Sequence, residues 1–291
     1  MHLTPATLPE FLPPALATEL AGAQRTQTEH EGVRTVWHLW GAPERPAVVL
    51  LHGGSGSWLH WVRNIGPLLG AGYRVLVPDL PGFGDSDLPP GCTDVPQLPV
   101  HLHAGLQQLA PKGPVQFVGF SFGGMAAALW LAEHPQDATH LVLVGAPGLG
   151  LSTAQRVALK GWRHLPSREQ QDAVHRHNLM ALMFERPESL DALALALHAA
   201  NVVRDRMPRR RLSSTPIVAE ALPRVKARVS AIARSMRRRV SGSSLGSQGP
   251  TAAWSSPRTR TMPEQSGAVS VAGQVSSGRG SAPAGGMSRK E

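Results

Sequence analysis

The stretch Val115-Gln-Phe-Val-Gly-Phe-Ser121-Phe-Gly-Gly-Met-Ala-Ala-Ala-Leu-Trp-Leu-Ala-Glu-His134 decides the fold. Val115–Val118 reads as a short apolar strand. From Phe122 the chain turns Ala/Leu-rich with no break until Pro135, where a helix must stop. Between them lies Gly119-Phe-Ser121-Phe-Gly123-Gly124. A nucleophilic serine at a strand-to-helix turn needs a strained backbone so that its hydroxyl projects from the sheet. Strand and helix then approach so closely that the residues two before and two after it must be very small. Gly119 and Gly123 meet that demand, and Ser121 is the candidate nucleophile. The pentapeptide pattern alone says little, because Gly242-Ser-Ser244-Leu-Gly246 matches it too. That second copy has neither a strand before it nor a helix after it, and no role is assigned to it.

Working outward, apolar strands recur with helical stretches between them. Val33–Trp40 alternates loosely, as a half-exposed strand would. Pro46–Leu51 is a continuous apolar run, the pattern of a strand buried on both faces. Ser57–Leu69 carries Trp58, Trp61 and Ile65 at helical spacing. Tyr73–Val77 is a second buried strand, closed by Pro78 and a Gly/Pro-rich turn. A weaker helix lies within Pro99–Leu109, Leu141–Val144 is another strand, and Ala227–Ile232 reads as the last. Strands separated by helices and short loops predict an α/β fold, with a mainly parallel sheet and helices on both faces. The region 149–222 is helical and free of strand signals, as a lid over one end of the sheet would be. The expected organisation is an N-terminal extension over 1–34, a core over 35–148, the lid over 149–222, a last strand within 223–234 and a tail over 235–291.

A second constellation, His52-Gly-Gly-Ser-Gly56, directly follows the buried strand ending at Leu51. Acyl transfer places negative charge on a carbonyl oxygen, and two fixed backbone N–H groups stabilise it well. Gly54 would supply one donor and Phe122, next to the nucleophile, the other. A phosphate-cradling loop is the competing reading. It is disfavoured because neither G-x-x-x-x-G-K-[ST] nor G-x-G-x-x-G is present and no lysine stands nearby.

The 291 residues carry 29 Lys and Arg against 20 Asp and Glu, a formal charge of +9. Of this surplus, +6 lies in 235–291, where 26 of 57 residues are Ser, Gly or Pro. Such a segment cannot bury enough apolar surface to offset the entropy of ordering it, so disorder is expected there. The tail also lacks the aromatic interleaving of a stacking platform, Trp254 apart, so no nucleic-acid partner is expected. No apolar run approaches the roughly 18 residues of a membrane span, and Met-His-Leu-Thr-Pro is no signal peptide. The one cysteine, Cys92, allows no internal disulfide and no multi-thiolate metal site. A cytoplasmic protein acting on a small-molecule substrate, with no cofactor, no metal and no membrane partner, is the expectation.

Taken in order, His52-Gly-Gly, Asp79-Leu-Pro-Gly-Phe-Gly-Asp-Ser86, Gly119-Phe-Ser-Phe-Gly123 and Leu141-Val-Leu-Val-Gly-Ala-Pro147 resemble the α/β-hydrolase superfamily, lidded small-molecule branch. Trp58, Arg63-Asn-Ile-Gly-Pro67 and Ala71-Gly-Tyr-Arg-Val75 are similar to the meta-cleavage product hydrolases, which split carbon–carbon bonds of dienoate diketones. That resemblance implies hydrolysis of an ester or C–C bond through Ser121. Leu59-His60 stands here in place of that group's Ser-Asn pair, whose asparagine serves the oxyanion site. The family order also implies an Asp after a later strand and a His after the last one. This chain has no Asp beyond Asp205 and no His beyond His198, so no triad Asp or His is identifiable.

Three readings follow. The first is a hydrolase whose reading frame shifted near codon 233, since the Arg/Ser/Gly/Pro-rich tail looks like GC-rich DNA translated out of frame. The second is a hydrolase-like binding or scaffold protein. The third, a basic-tailed binder of nucleic acid or membrane surface, is the weakest, because charge runs are usually solvated. His164, His175, His177 and His198 fall in the lid region, and Arg209-Arg-Arg211 is expected on a solvated lid face. Asp85 and Asp87 are read as turn formers, and Cys92 as a loop or half-buried thiol.

Overall fold

The computed structural model describes residues 2–113, 115–150 and 158–232, together with the backbone of 269–271. In chain order the strands are β1 (Thr4–Pro5), β2 (Gln24–His30), β3 (Val33–Trp40), β4 (Ala47–Leu51), β5 (Arg74–Pro78), β6 (Val115–Phe120), β7 (His140–Val144), β8 (Arg228–Ile232) and β9 (Val269–Val271). The helices are α1 (Pro14–Glu19), α2 (Val62–Gly70), α3 (Leu98–Leu109), α4 (Phe122–Glu133), α5 (Arg168–Leu182), α6 (Ala192–Val202) and α7 (Ile217–Ala221).

The strands form one sheet in the order β1-β2-β3-β5-β4-β6-β7-β8-β9. Pairings from β1 through β3 to β5 are antiparallel, and all those from β5 onward are parallel. β4 and β5 are buried along their whole length, which is why both read as unbroken apolar runs. β4 lies between β5 and β6 and starts the order in both directions. In open α/β sheets ligands bind at such a switch point, outside the carboxyl ends of the strands. Leu51, at the end of β4, stands opposite Gly119 of β6, so the glycine loop and the serine turn leave the sheet side by side.

Two apolar layers hold the elements in place. One face of the sheet packs Trp37, Leu76, Phe117 and Leu141 against α3, α4 and α7. The other packs Val48, Leu50, Val75 and Val77 against Leu20, Trp58, Leu59 and Ile65. α4 runs through the first layer with eleven of its twelve residues buried, which explains a sequence with no polar face.

Two expectations change. β3 is buried at every position but Arg34, not half-exposed, because β2 and β5 flank it and both faces are covered. Residues 4–30, read as an extension, supply β1 and β2 to the sheet. Beyond β8, the short segment Val269–Val271 pairs with it in parallel. An open edge of unpaired N–H and C=O groups is a template for such pairing. The remainder of 235–291, the second serine pentapeptide included, lies outside the described residues, as do 151–157 of the lid region. Among the described residues no helix is long and apolar enough to cross a membrane.

Candidate active site

Ser121 occupies the turn between β6 and α4 with φ 51° and ψ −116°. This is a left-handed backbone that an L-residue adopts only when its surroundings enforce it, at a cost of order 1–3 kcal/mol. The enforcement is visible. The Ser121 N–H donates to Val144 O at 2.8 Å, and its carbonyl accepts from Gly124 N at 2.9 Å. A β-carbon on Gly119 would come within 2.6 Å of Gly124 Cα, and one on Gly123 within 2.2 Å of Leu51 O. Only hydrogen fits at either place, as the small-residue requirement around the serine predicts. Phe122 is the first residue of α4, so its N–H has no partner within the helix.

The glycine loop abuts this turn. A β-carbon on Gly53 would lie 3.4 Å from Ser121 Cβ and 2.9 Å from the Phe120 ring. His52 fixes the loop from within the core. Its Nδ1–H donates to Gly53 O at 2.8 Å and its Nε2 accepts from Leu80 N at 2.9 Å. Burial lowers the His52 pKa, so the ring is held neutral in this tautomer. His60 engages the other side of the loop, its Nδ1 accepting the N–H of Gly53 at 3.2 Å. The Gly53 N–H is therefore taken. Asp79, fully buried, ties the neighbouring segments together by accepting from Trp58 N at 2.8 Å and Asp85 N at 2.9 Å.

A strap from the lid region crosses this loop. Ser55 Oγ donates to Asp205 Oδ2 at 2.5 Å, and Arg210 Nη1 reaches both oxygens of Asp205 at 3.0 and 3.1 Å. The Arg210 guanidinium lies over the rings of Phe83 and Phe122, 5.0 and 5.2 Å from their centroids. Arg210 is thus no solvated residue, contrary to the reading of Arg209–Arg211. It is half-buried between the oxyanion candidates, and a β-carbon on Gly54 would sit 2.9 Å from its Nη2. Nothing in the run of three arginines distinguishes the middle one. Its role depends on Asp205 and Phe122 meeting in space.

Histidines line the other side. His60 packs edge-on against Phe120, and His198 of α6 packs edge-on against His175 of α5 at 5.1 Å. Burial, reinforced by the neighbouring His52 and His198, brings the His60 pKa down to about 3. Burial, reinforced by His175, brings that of His198 down to about 4. Ser57 Oγ donates to Asn201 Oδ1 at 2.6 Å, joining α6 to the loop. His177 faces outward and Cys92 is buried in its loop. Asp85 and Asp87 pair with Arg204 and Arg34 at 3.0 Å each, as turn residues would. Among the described residues no three or more His, Cys, Asp or Glu side chains are placed to hold a metal ion.

A strained serine on a strand-to-helix turn, beside a glycine loop at the switch point of a parallel sheet, is matched by a family model described as the alpha/beta hydrolase fold over residues 46–223. The chain belongs to the α/β-hydrolase fold family. Two curated relatives are similar in sequence. One is the 2-hydroxy-6-oxo-6-phenylhexa-2,4-dienoate hydrolase of Burkholderia cepacia, 36% identical over 43% of this chain and 44% of that protein. The other is the 2-hydroxy-6-oxononadienedioate/2-hydroxy-6-oxononatrienedioate hydrolase of Comamonas testosteroni, 35% identical over 43% of this chain and 44% of its own. The matched part thus spans under half the length of either relative. Among solved structures, the esterase RhEst1 from Rhodococcus sp. ECU1013 superposes with a TM-score of 0.55 at 23% identity, covering 72% of this α/β-hydrolase chain and 80% of that one.

Proposed function

We propose that this α/β hydrolase acts on a small-molecule ester or C–C bond substrate through Ser121, with the N–H groups of Gly54 and Phe122 as oxyanion donors. The observation that carries the reading is the left-handed backbone of Ser121 beside the glycine loop. Such a turn presents a hydroxyl to the space above the sheet, where this reading puts the developing oxyanion. The two dienoate hydrolases named above favour a C–C bond, whereas His60, in place of the asparagine that the family resemblance implies, favours an ester. Residues 149–222 serve as the lid that selects the substrate, in the cytoplasm.

Catalysis through Ser121 is impaired in this reading. A serine hydroxyl needs an imidazole to take its proton, and the chain has no His beyond His198 and no Asp beyond Asp205. Asp205 is already committed to Ser55 and Arg210. Enzymes stripped of triad members keep only about 10³–10⁴-fold catalysis over water, from the oxyanion hole and binding. Slow turnover of p-nitrophenyl esters and slow fluorophosphonate labelling are expected, with the label on Ser121 by peptide mass spectrometry and none in Ser121→Ala. Labelling at another residue, or unchanged in Ser121→Ala, would overturn the assignment. If the coding DNA carries the missing Asp and His in another frame after codon 232, restoring it raises hydrolysis by orders of magnitude. The second reading is a catalytically dead binding or scaffold protein, favoured by the absent triad residues. A folded chain whose Ser121 never labels would establish it.

A further inference from the structure

A depression of about 740 Å³ opens on the far side of the lid strap, lined among others by Arg25, Arg34, Asp85, Asp87, Arg204 and Arg206. Neither Ser121 nor Gly54 nor Phe122 lines it, so it is separate from the candidate active site. Four guanidinium groups face two carboxylates there. Arg34 is matched one to one by Asp87, at 3.0 Å. Asp85 is shared. Its Oδ1 accepts from Arg204 at 3.0 Å, and Arg25 is held 3.7 Å from its Oδ2. Arg206 donates to the carbonyls of Phe83, Gly84 and Ser86, and among the described residues no carboxylate pairs with it. The wall therefore carries a surplus of two positive charges, drawn from β2, β3 and the strap.

We propose that this depression binds a compact dianion, a phosphate monoester or a short dicarboxylate, held by Arg25, Arg204 and Arg206. Guanidinium groups are suited to it because each offers paired N–H donors matching two oxygens of a phosphoryl or carboxylate group. Asp85 is the internal anion with which the ligand competes for Arg25 and Arg204. Occupancy also has a structural consequence. Arg204 and Arg206 flank Asp205, which anchors the strap to Ser55 and Arg210, so a ligand bridging them to Arg25 pins the strap to the core. The proposal does not depend on Ser121 being catalytic.

The test is calorimetric titration of the full chain with inorganic phosphate and with succinate at neutral pH and constant ionic strength, sodium chloride serving as the reference. Saturable binding of either dianion is expected and none of chloride; phosphate alone identifies a phosphoryl ligand, succinate alone a dicarboxylate, and both a site that reads charge. Arg25→Gln and Arg204→Gln should each weaken binding at least about tenfold, the loss of one charge-assisted contact. Arg63→Gln, which alters a surface pair with Asp191 elsewhere, should not. Asp85→Asn is the decisive variant. Removing the competing carboxylate should tighten binding, whereas a merely structural Asp85 would weaken it. No saturable signal above chloride, or equal affinity in wild type, Arg25→Gln and Arg204→Gln, would overturn the proposal. So would weaker binding in Asp85→Asn.

Discussion

The backbone N–H of Gly53 donates to Nδ1 of His60 at 3.2 Å, across the loop that abuts the serine turn. That bond occupies the first glycine N–H after His52. It also fixes the His60 tautomer, since Nδ1 can accept only while the proton sits on Nε2. Close packing adds to it: a β-carbon on Gly56 would fall 2.3 Å from His60 Cε1.

Replacing His60 therefore tests the loop. His60→Leu leaves the Gly53 N–H without its acceptor and should cost about 1–3 kcal/mol in urea unfolding. His60→Asn, whose Oδ1 can take the place of Nδ1, should retain most of the wild-type stability. Equal losses in the two variants would mean that the hydrogen bond contributes little and that ring packing dominates.

The buried imidazoles give the fold a defined response to acid. His60 and His198 have pKa values near 3 and 4 in the folded chain against 6.5 for an unperturbed histidine. Below the unperturbed value the unfolded chain takes up protons that the folded one does not, so stability rises with pH across these windows and is level above them. The limiting slope is about 1.4 kcal/mol per pH unit for each group. Urea midpoints should hold steady above about pH 7 and fall on acidification towards about pH 5. His60→Asn and His198→Asn should each flatten that slope, and an unchanged slope in both would rule out these rings as its source.

Much of the core was legible in the sequence. The serine turn, the runs Pro46–Leu51 and Tyr73–Val77, and the Ala-rich helix each carry a local signal that burial on both sides enforces. Arg34 and His38 make Val33–Trp40 read as half-exposed, although every position but Arg34 is buried. His38 lies inside, stacked on Trp58 at 4.9 Å, and its polarity in the sequence conceals that. Arg210 is hidden in the sequence for a different reason. Its partners Phe83, Phe122 and Asp205 lie up to 127 residues away, and only the folded strap unites them. His60 stands out in the sequence as a departure from the family resemblance, but its bond to Gly53 depends on how the turn after Ser57 folds back. No periodicity records that.

The pairing of Arg210 with Asp205 makes a second mechanical test. Their side chains are only 18% and 7% exposed, so breaking the pair leaves a carboxylate poorly solvated. Arg210→Met keeps an apolar stem against Phe83 and Phe122 but removes the charge, and should cost about 1–3 kcal/mol. Asp205→Asn should cost less, because the amide oxygen still accepts from Met207 N and the amide NH2 can donate to Ser55 Oγ. The double variant should be less destabilised than the sum of the two, by at least about 0.5 kcal/mol. Strict additivity in urea unfolding would show that the pair is not coupled.

The strained serine turn predicts opposite effects at neighbouring positions. At φ 51° and ψ −116°, Ser121 pays a conformational cost that glycine escapes and alanine does not. Ser121→Gly should therefore unfold about 1–2 kcal/mol later than Ser121→Ala, although both lack the hydroxyl. Gly123 responds in reverse. A methyl group there would meet Leu51 O at 2.2 Å and His52 O at 2.5 Å, both backbone atoms of a fully buried strand end that cannot yield. Gly123→Ala should lose more than about 4 kcal/mol or fail to give folded protein, since α4 would have to lift from the sheet. Thermal unfolding of the three variants decides the matter. A Gly123→Ala protein that melts with wild type, or Ser121→Gly melting below Ser121→Ala, would mean that strand and helix do not approach as closely as the serine turn requires.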